Sequence, residues 1–404
     1  MAVSPARWAA FQVLRRVELA SGFAADLLYP MPLEERDAAL AEELVLGVLR
    51  WQGELDAQLG ALAALDLQRL DPEVRLALRL GLYQLGHLDR VPASAAVSES
   101  VEIVKRARKT SAAGLVNAVL RKAAATALDP PSGEWRLPVW LFDRWRTHYG
   151  TATADALAEA AMRQPPAYLR LNARFDAGET LRLLAAEGVQ TEPTELPLCR
   201  QVVGGKPTRT ECFRQGRIRI QDLGSQRVAA LLDPPPEGSF LDACSAPGGK
   251  AFQILESSRG ALAVACDRSL GRLQLMRRLA TLTVPLVALD ATHPLPFSRC
   301  FDRILVDVPC SGTGTLARNP EIKWRLQICD LEALAARQHA ILANALEVLA
   351  PGGRLIYATC SLEPEENQQV VAAVVGPRFQ IMQERLWLPC EHPGDGFYAC
   401  VMLH

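Results

Sequence analysis

Residues 240–250 read FLDACSAPGGK: the apolar run Phe240-Leu241 ends at Asp242, breaks into small residues and glycines, and resumes as an amphipathic stretch from Lys250. An apolar run, a glycine loop and a helical pattern in that order predict strand, loop and helix. The same alternation continues downstream: strand 239–243, helix 250–257, strand 261–266, helix 269–280, strand 284–289, strand 303–308, helix 330–349 and strand 354–359. Apolar strands separated by helices predict an α/β, mostly parallel, doubly wound sheet. Such sheets bind ligands beyond the carboxyl ends of their strands, so the chemistry is expected in the C-terminal half.

Upstream, Ser4-Pro5 starts a helix carrying Ala10, Leu14 and Val17. Leu40, Leu44 and Val48 form a second helical stripe, Asp71-Pro72 caps a third helix with Val74, Ala77 and Leu80, and Val97, Val101 and Val104 form a fourth stripe. An all-α domain over 1–128 follows. The breaker cluster 129–133, DPPSG, reads as a linker. Helical patterns near 138–162, a strand at Ala167 to Leu171, a helix near 178–187 and a strand at Arg217 to Gln221 predict a small mixed α/β module over 134–233. Pro234-Pro235-Pro236 closes it, leaving 234–404 for the doubly wound domain.

Apolar residues are 49% and charged residues 22% of the 404, ordinary for a chain that buries a core. No apolar run approaches a membrane span, and MAVSPARWAA lacks the regions of a signal peptide, so a cytoplasmic location without membrane association is expected. The ten cysteines begin at Cys199, with no Cys-x-x-Cys and no Cys/His cluster at zinc spacing, so neither disulfides nor a metal site is expected. Cys266, Cys300 and Cys329 read as small buried hydrophobes. The net charge is −1, but it is segregated: 1–104 sum to −6, whereas Lys105, Arg106, Arg108, Lys109, Arg121 and Lys122 give 105–122 a net of +6. That segregation favours a phosphate-contacting RNA patch over a merely solvated face.

The loop CSAPGGK is not a P-loop, since Cys244 replaces the first glycine and Ala251 follows Lys250. It is not a dinucleotide fingerprint either, because only Gly248 and Gly249 are present. Behind it, Asp267, Asp290 and Asp307 each end a strand, and Asp267 follows Gly249 by about the spacing of a ribose-binding acid. A lone strand-end Asp is usually a turn or helix cap. Three behind one glycine loop point instead to a ligand with a ribose and an adenine but no phosphates, S-adenosylmethionine.

Cys310, in Asp307-Val308-Pro309-Cys310, and Cys360, in Thr359-Cys360-Ser361, emerge at strand ends on the same rim. A thiol beside a methyl donor suits methylation at C5 of a pyrimidine, a carbon that is not nucleophilic on its own. A thiolate adds to C6, an acid neutralises charge at N3, C5 attacks the methyl group, a base removes the C5 proton and the thiol leaves. The thiolate must be favoured electrostatically, and Lys250 is one candidate for that help.

FLDACSAPGGK, RILVDVPCSGTGTLARNPEIKW and LIYATCSLEPEEN resemble the cofactor and catalytic motifs of RNA cytosine-5 methyltransferases related to nucleolar Nop2 and Sun proteins. LRLGLYQL at 78–85, RVPASAAVSESVEIVKRA at 90–107 and LVNAVLRK at 115–122 are similar to the NusB-like RNA-binding domain of bacterial 16S rRNA cytosine-5 methyltransferases of the RsmB (Fmu/Sun) type. The resemblance implies a Rossmann-like methyltransferase domain behind an all-α NusB-like domain. It also implies that Cys244, Ser245, Ala246, Pro247, Gly248, Gly249, Lys250, Asp267, Asp290 and Asp307 contact S-adenosylmethionine. Cys360 becomes the nucleophile and Cys310 the residue that assists release, with Asp307 and Lys250 beside them. The family usually has alanine at the position of Ser245, a small-for-small exchange that should leave cofactor binding intact.

The expectation is thus a monomeric enzyme that methylates one cytosine of small-subunit ribosomal RNA. A transfer RNA methyltransferase is the alternative within enzymes. A non-catalytic RNA-binding assembly or transcription factor is the alternative outside them, and it would need neither the two cysteines nor the three aspartates.

Overall fold

The computed structural model describes all residues except 1–2, 21, 29–30, 64–65, 127–135, 234–237, 259–261 and 281. The clusters at 129–133 and 234–236, the domain limits at 128, 134 and 234, and residue 261 of the expected strand lie outside the described residues. Two compact units result, one of residues 1–163 with 316–325, the other of 164–315 with 326–404.

The first unit is helical: Pro5–Ala20, Glu35–Ala63, Pro72–His87, Ala93–Arg106 and Ala113–Ala125 are its principal helices, followed by Val139–Tyr149 and Thr151–Ala160. The stripes read from the sequence meet in one core of Leu14, Leu44, Val48, Leu80, Val104 and Leu120. Removal of those side chains from water drives the packing. Two of these helices approach closely at Gly47, where an added Cβ would lie 2.0 Å from Cζ of Tyr83. The Tyr83 hydroxyl donates to Glu43 at 2.6 Å. Asp71 stands at the cap position before Pro72 but makes no side-chain cap bond. Its carboxylate pairs with Lys109 at 2.9 Å instead, and Pro72 at the first helical position starts the helix.

Residues 316–325, contiguous in sequence with the doubly wound domain, belong to the helical unit. The contiguous limits 1–128, 134–233 and 234–404 therefore do not coincide with the compact units. Polar partners supplied by the helices explain the insertion. Trp324 donates to the Leu49 carbonyl at 2.6 Å, Arg325 to that of Gly22 at 2.7 Å, and Arg50 to that of Ala317 at 3.0 Å. Glu321 accepts from the Ala24 amide at 2.8 Å. Lys323 is fully buried and donates to the carbonyls of Arg50 at 2.7 Å and Arg136 at 3.2 Å.

The second unit contains two sheets. Strands β1 (Ala167–Leu171), β2 (Gln190–Pro193), β3 (Cys199–Gly204) and β4 (Ile218–Ile220) form an antiparallel sheet in the order β2-β3-β1-β4. β1 and β4 match the sequence expectation, whereas β2 and β3 were not read, because neither alternates cleanly between buried and exposed residues. Helix Ala177–Ala186, capped by Asp176 on the Glu179 amide at 2.6 Å, packs Leu184 against Leu169 and Ile218. A buried ion pair, Arg170 with Glu256, ties this sheet to helix Gly249–Ser257 of the larger domain.

The larger sheet comprises β5 (Ser239–Asp242), β6 (Leu262–Asp267), β7 (Leu286–Ala288), β8 (Phe301–Asp307), β9 (Leu349–Thr359), β10 (Gln380–Trp387) and β11 (Phe397–Leu403). Its order is β10-β11-β9-β8-β5-β6-β7, parallel from β9 to β7 and closed by an antiparallel hairpin at the β9 side. The order reverses between β5 and β8, which opens a crevice above their carboxyl ends. Helix Ile328–Glu347 ends two residues before the predicted 349, and Pro351-Gly352-Gly353, read as a breaker, lies inside β9. Gly352 has φ +74°, and the register of β8 with β9 shifts between Phe301 and Arg303. Backbone bonds between 352–353 and His404 hold this irregularity in the sheet, a partnership that local sequence does not reveal. The hairpin β10-β11 was also not read, since β10 is largely exposed and β11 almost wholly buried. No helix among the described residues is long and apolar enough to cross a membrane.

Candidate active site

The loop after β5 is folded by its own backbone. Ser245 N–H donates to the Cys266 carbonyl at 2.7 Å, and Gly248 N–H to that of Ser245, also at 2.7 Å. Gly248 takes φ +103°, and a Cβ there would stand 2.6 Å from Cε2 of Phe252 and 2.9 Å from Cγ of Met276. Glycine is required both by conformation and by space. Helix Gly249–Ser257 then begins with its amides directed at the crevice end of the sheet. Asp242 is buried and accepts from the Cys244 amide at 3.2 Å. Burial, then the neighbouring Asp307 charge, pushes its pKa well above the ordinary value. The sequence did not single out Asp242, although it stands at the last position of the quoted strand.

Lys250 Nζ donates to Oδ2 of Asp307 at 2.6 Å and lies 4.8 Å from the centre of the Phe397 ring. Burial works against its charge, but Asp307 outweighs that and lifts the pKa above the ordinary value, keeping the ammonium charged. Asp267 accepts from the Ser269 amide at 2.8 Å and the Ala246 amide at 3.2 Å. Asp290 accepts from Thr292 Oγ1 at 2.7 Å, and this bond, then that of the Thr292 amide, holds its pKa below the ordinary value. Both therefore also perform the turn-capping role of an ordinary strand-end aspartate. The ammonium at the mouth of the loop is neutralised by Asp307, with Asp242 beside that pair, a setting that does not favour polyphosphate.

Cys310 and Cys360 follow adjacent parallel strands in which Asp307 pairs in register with Ala358. That register brings their sulfurs to 3.3 Å. The hydrogen bond with Cys360, then burial, raises the Cys310 pKa well above its ordinary value. Cys244 is likewise pushed well up by burial and by Asp242, so it is a neutral thiol. Cys266 is buried as expected, with its pKa pushed up to about 12, first by burial. Cys300 and Cys329 are exposed, contrary to expectation. Cys300 lies in the turn before β8 and Cys329 in the first turn of helix Ile328–Glu347, positions outside the core of the sheet.

Beneath the two thiols lies a polar cluster that the sequence did not disclose. Glu366 is buried and accepts from the Ser311 amide at 2.8 Å, from Gln338 at 2.9 Å, and from the hydroxyls of Ser311 and Ser361. Its signal was present in the quoted LEPEEN, but nothing local shows that it folds back under Cys310. Among the described residues no group of three or more His, Cys, Asp or Glu could hold a metal ion.

The basic residues lie in the helical unit. Lys105 pairs with Glu102 at 2.7 Å and Lys109 with Asp71 at 2.9 Å, Arg106 stacks 4.1 Å from the Trp8 ring, and Lys122 donates to the Leu62 carbonyl at 2.8 Å. Arg121 bonds Asn117 at 3.1 Å, and Arg108 adopts φ +64°. The patch is largely exposed, but Glu102 and Asp71 neutralise part of the segregated charge.

A family model described as 16S rRNA methyltransferase RsmB/F matches residues 229–402. A NusB family model matches 4–125, and a ferredoxin-like domain model of RsmF/B-like methyltransferases matches 137–200. The chain is 35% identical over 397 residues to ribosomal RNA small subunit methyltransferase B of Pasteurella multocida (strain Pm70), covering 91% of this chain and 88% of that protein. It is 34% identical over 403 residues to the protein of the same name from Vibrio cholerae, with 92% and 90% covered. A methyltransferase homolog protein from Pyrococcus horikoshii is 28% identical with a TM-score of 0.60, over 68% of this chain and 99% of that one. The crystal structure of PH0851, 22% identical, gives a TM-score of 0.84 over 100% of this chain and 99% of that one, a likeness of fold.

Proposed function

The chain belongs to the 16S rRNA methyltransferase RsmB/F family, and from that premise we propose that it methylates C5 of one cytosine in small-subunit ribosomal RNA, with S-adenosylmethionine as methyl donor and Cys360 as covalent nucleophile. The observation that carries this reading is the pair of thiols 3.3 Å apart at the carboxyl ends of β8 and β9, beside a charged Lys250. Methyl transfer to an already nucleophilic atom needs no thiol, whereas C5 of a pyrimidine must first be activated.

The loop residues fit the donor. The glycine turn at 248–249 brings backbone close, Asp267 and Asp290 offer acceptors to ribose hydroxyls, and the carboxylates favour a sulfonium over a phosphate chain. Cys244, Ser245, Ala246, Pro247 and Lys250 complete that wall. When bound, S-adenosylmethionine supplies an electrophilic methyl group. Cys360 Sγ adds to C6 as the thiolate, with Lys250, held in place by Asp307, favouring the anion and the developing charge on the ring. C5 takes the methyl group, a base removes the C5 proton, and electrons returning to the ring expel the Cys360 thiolate. Cys310, held as a thiol against Cys360, assists that last step. The exposed cations from Lys105 to Lys122 are assigned to RNA phosphates, and the protein acts as a monomer in the cytoplasm.

The test separates the two cysteines. Cys360→Ala should be inactive and never cross-link to RNA. Cys310→Ala should accumulate a covalent protein–RNA adduct that survives denaturing gels and disappears when Cys360 is also replaced. An adduct in the Cys360 variant alone would make Cys310 the nucleophile, and full activity without Cys360 would sink the covalent route. Bisulfite mapping of ribosomal and transfer RNA from cells lacking the protein decides between the two RNA classes.

A further inference from the structure

The Glu366 carboxylate receives four donors. Oε1 accepts from the Ser311 amide and Gln338 Nε2 at 2.8 and 2.9 Å, and Oε2 from the hydroxyls of Ser311 and Ser361. Ser311 follows Cys310 and Ser361 follows Cys360, so one buried side chain grips the residue next to each thiol. The supports extend on both sides. Gln338 also donates to the Pro309 carbonyl at 2.9 Å, ahead of Cys310. Asn367 accepts from Thr359 Oγ1 at 2.5 Å and donates to the Ser361 carbonyl at 2.9 Å, bracketing Cys360. The Tyr357 hydroxyl fixes the Glu366 carbonyl at 2.6 Å.

A carboxylate is saturated by about four donors. Burial raises the pKa of Glu366, and the Ser311, Ser361 and Gln338 hydrogen bonds oppose that. One buried carboxyl group thus holds both cysteine loops from beneath the thiols. Facing Cys310 are Cys360 and Tyr357 from β9, Asp307 from the end of β8, and Glu366. The Lys250 ammonium beside them is bound to Asp307.

We infer that Glu366 is the positioning residue of the thiol pair: through Ser311 and Ser361 it fixes the geometry of both cysteine loops, and with it the 3.3 Å approach of the two sulfurs. This rests on the assignment of roles proposed above and deepens it. Glu366 acts through the residues next to the two sulfurs.

Two measurements on the full chain test it. In the chain with both cysteines, the pH profile of Cys310 alkylation by iodoacetamide, followed by peptide mass mapping, should shift to lower pH by roughly one unit when Glu366→Gln loosens the two loops and weakens the contact with Cys360 that raises the Cys310 pKa. In the chain with both cysteines, Glu366→Gln should lower kcat by about tenfold or more while KM for RNA and for S-adenosylmethionine stays within about twofold. Should Glu366→Gln lose cooperative melting, Ser311→Ala, which removes one hydroxyl donor and keeps the Ser311 amide bond, should give a smaller shift in the same direction. Superimposable alkylation profiles, or a rise in KM with kcat unchanged, would overturn the inference. If the unmodified chain fails to methylate RNA, the proposed function falls, while the alkylation profile still decides the role of Glu366.

Discussion

Lys323 links a single buried nitrogen to the stability of the helical unit. Burial, then the Arg50 charge, lowers its pKa from 10.5 to about 7, against a weaker pull from Glu54. Its two carbonyl partners match the two N–H bonds of a neutral amine. The folded pKa lies below the unfolded one, so between them the unfolded chain binds more protons and stability rises with pH. From about pH 7 to about pH 9 the folded side chain releases the half proton it still holds, while the unfolded one stays charged. At about 1.4 kcal/mol per pH unit, integration gives a gain of about 2 kcal/mol from this residue, levelling off near the pKa of a free lysine. Lys323→Met should remove that gain. It should also destabilise the unit by a roughly pH-independent 1–3 kcal/mol, because the Arg136 carbonyl loses its lysine donor while that of Arg50 keeps its helical one. Among the described residues all tryptophans except Trp387 belong to the helical unit, so urea unfolding followed by tryptophan fluorescence reads this unit. The quantity to compare is the change in stability between the two pH values, wild type minus variant, in which other titrating groups cancel. A difference near zero would show that Lys323 is solvated and charged, and would refute its placement as a dry anchor of 316–325.

Two further outcomes follow from the site and the patch. S-adenosylmethionine should bind the chain without RNA and raise its melting temperature, and Asp267→Ala should weaken that binding by about tenfold or more in calorimetry, because a buried acceptor is lost; equal affinity would remove Asp267 from the site. Replacing Lys105, Arg106, Arg108 and Lys109 by glutamate should flatten the salt dependence of RNA binding. Lys105 and Lys109 are already paired with Glu102 and Asp71, so the slope should fall by about two units rather than about four, and an unchanged slope would make the patch a solvated face.

Much of this protein is legible in its sequence because the deciding patterns are local. The step from Phe240-Leu241-Asp242 into small residues and glycines marks strand, turn and helix, since each residue type restricts its own backbone. The helical stripes around Leu44, Leu80 and Val104 are periodic for the same reason, and the two cysteines were found by their positions at strand ends. What the sequence left open depends on partners distant along the chain. Residues 316–325 join the helical unit because Lys323 and Trp324 find carbonyls at Arg50 and Leu49, more than 250 residues earlier. Gly352 and Gly353 stay within a strand because His404 bonds to them. Cys300 and Cys329 are exposed because their own segments lie outside the core, a fact their residue type does not carry. Most of all, the 3.3 Å between Cys310 and Cys360 comes from the register of β8 on β9 and from Glu366 beneath them. Local propensity can place each thiol at the end of a strand, but only the pairing of strands and the burial of a shared carboxylate bring the two sulfurs together.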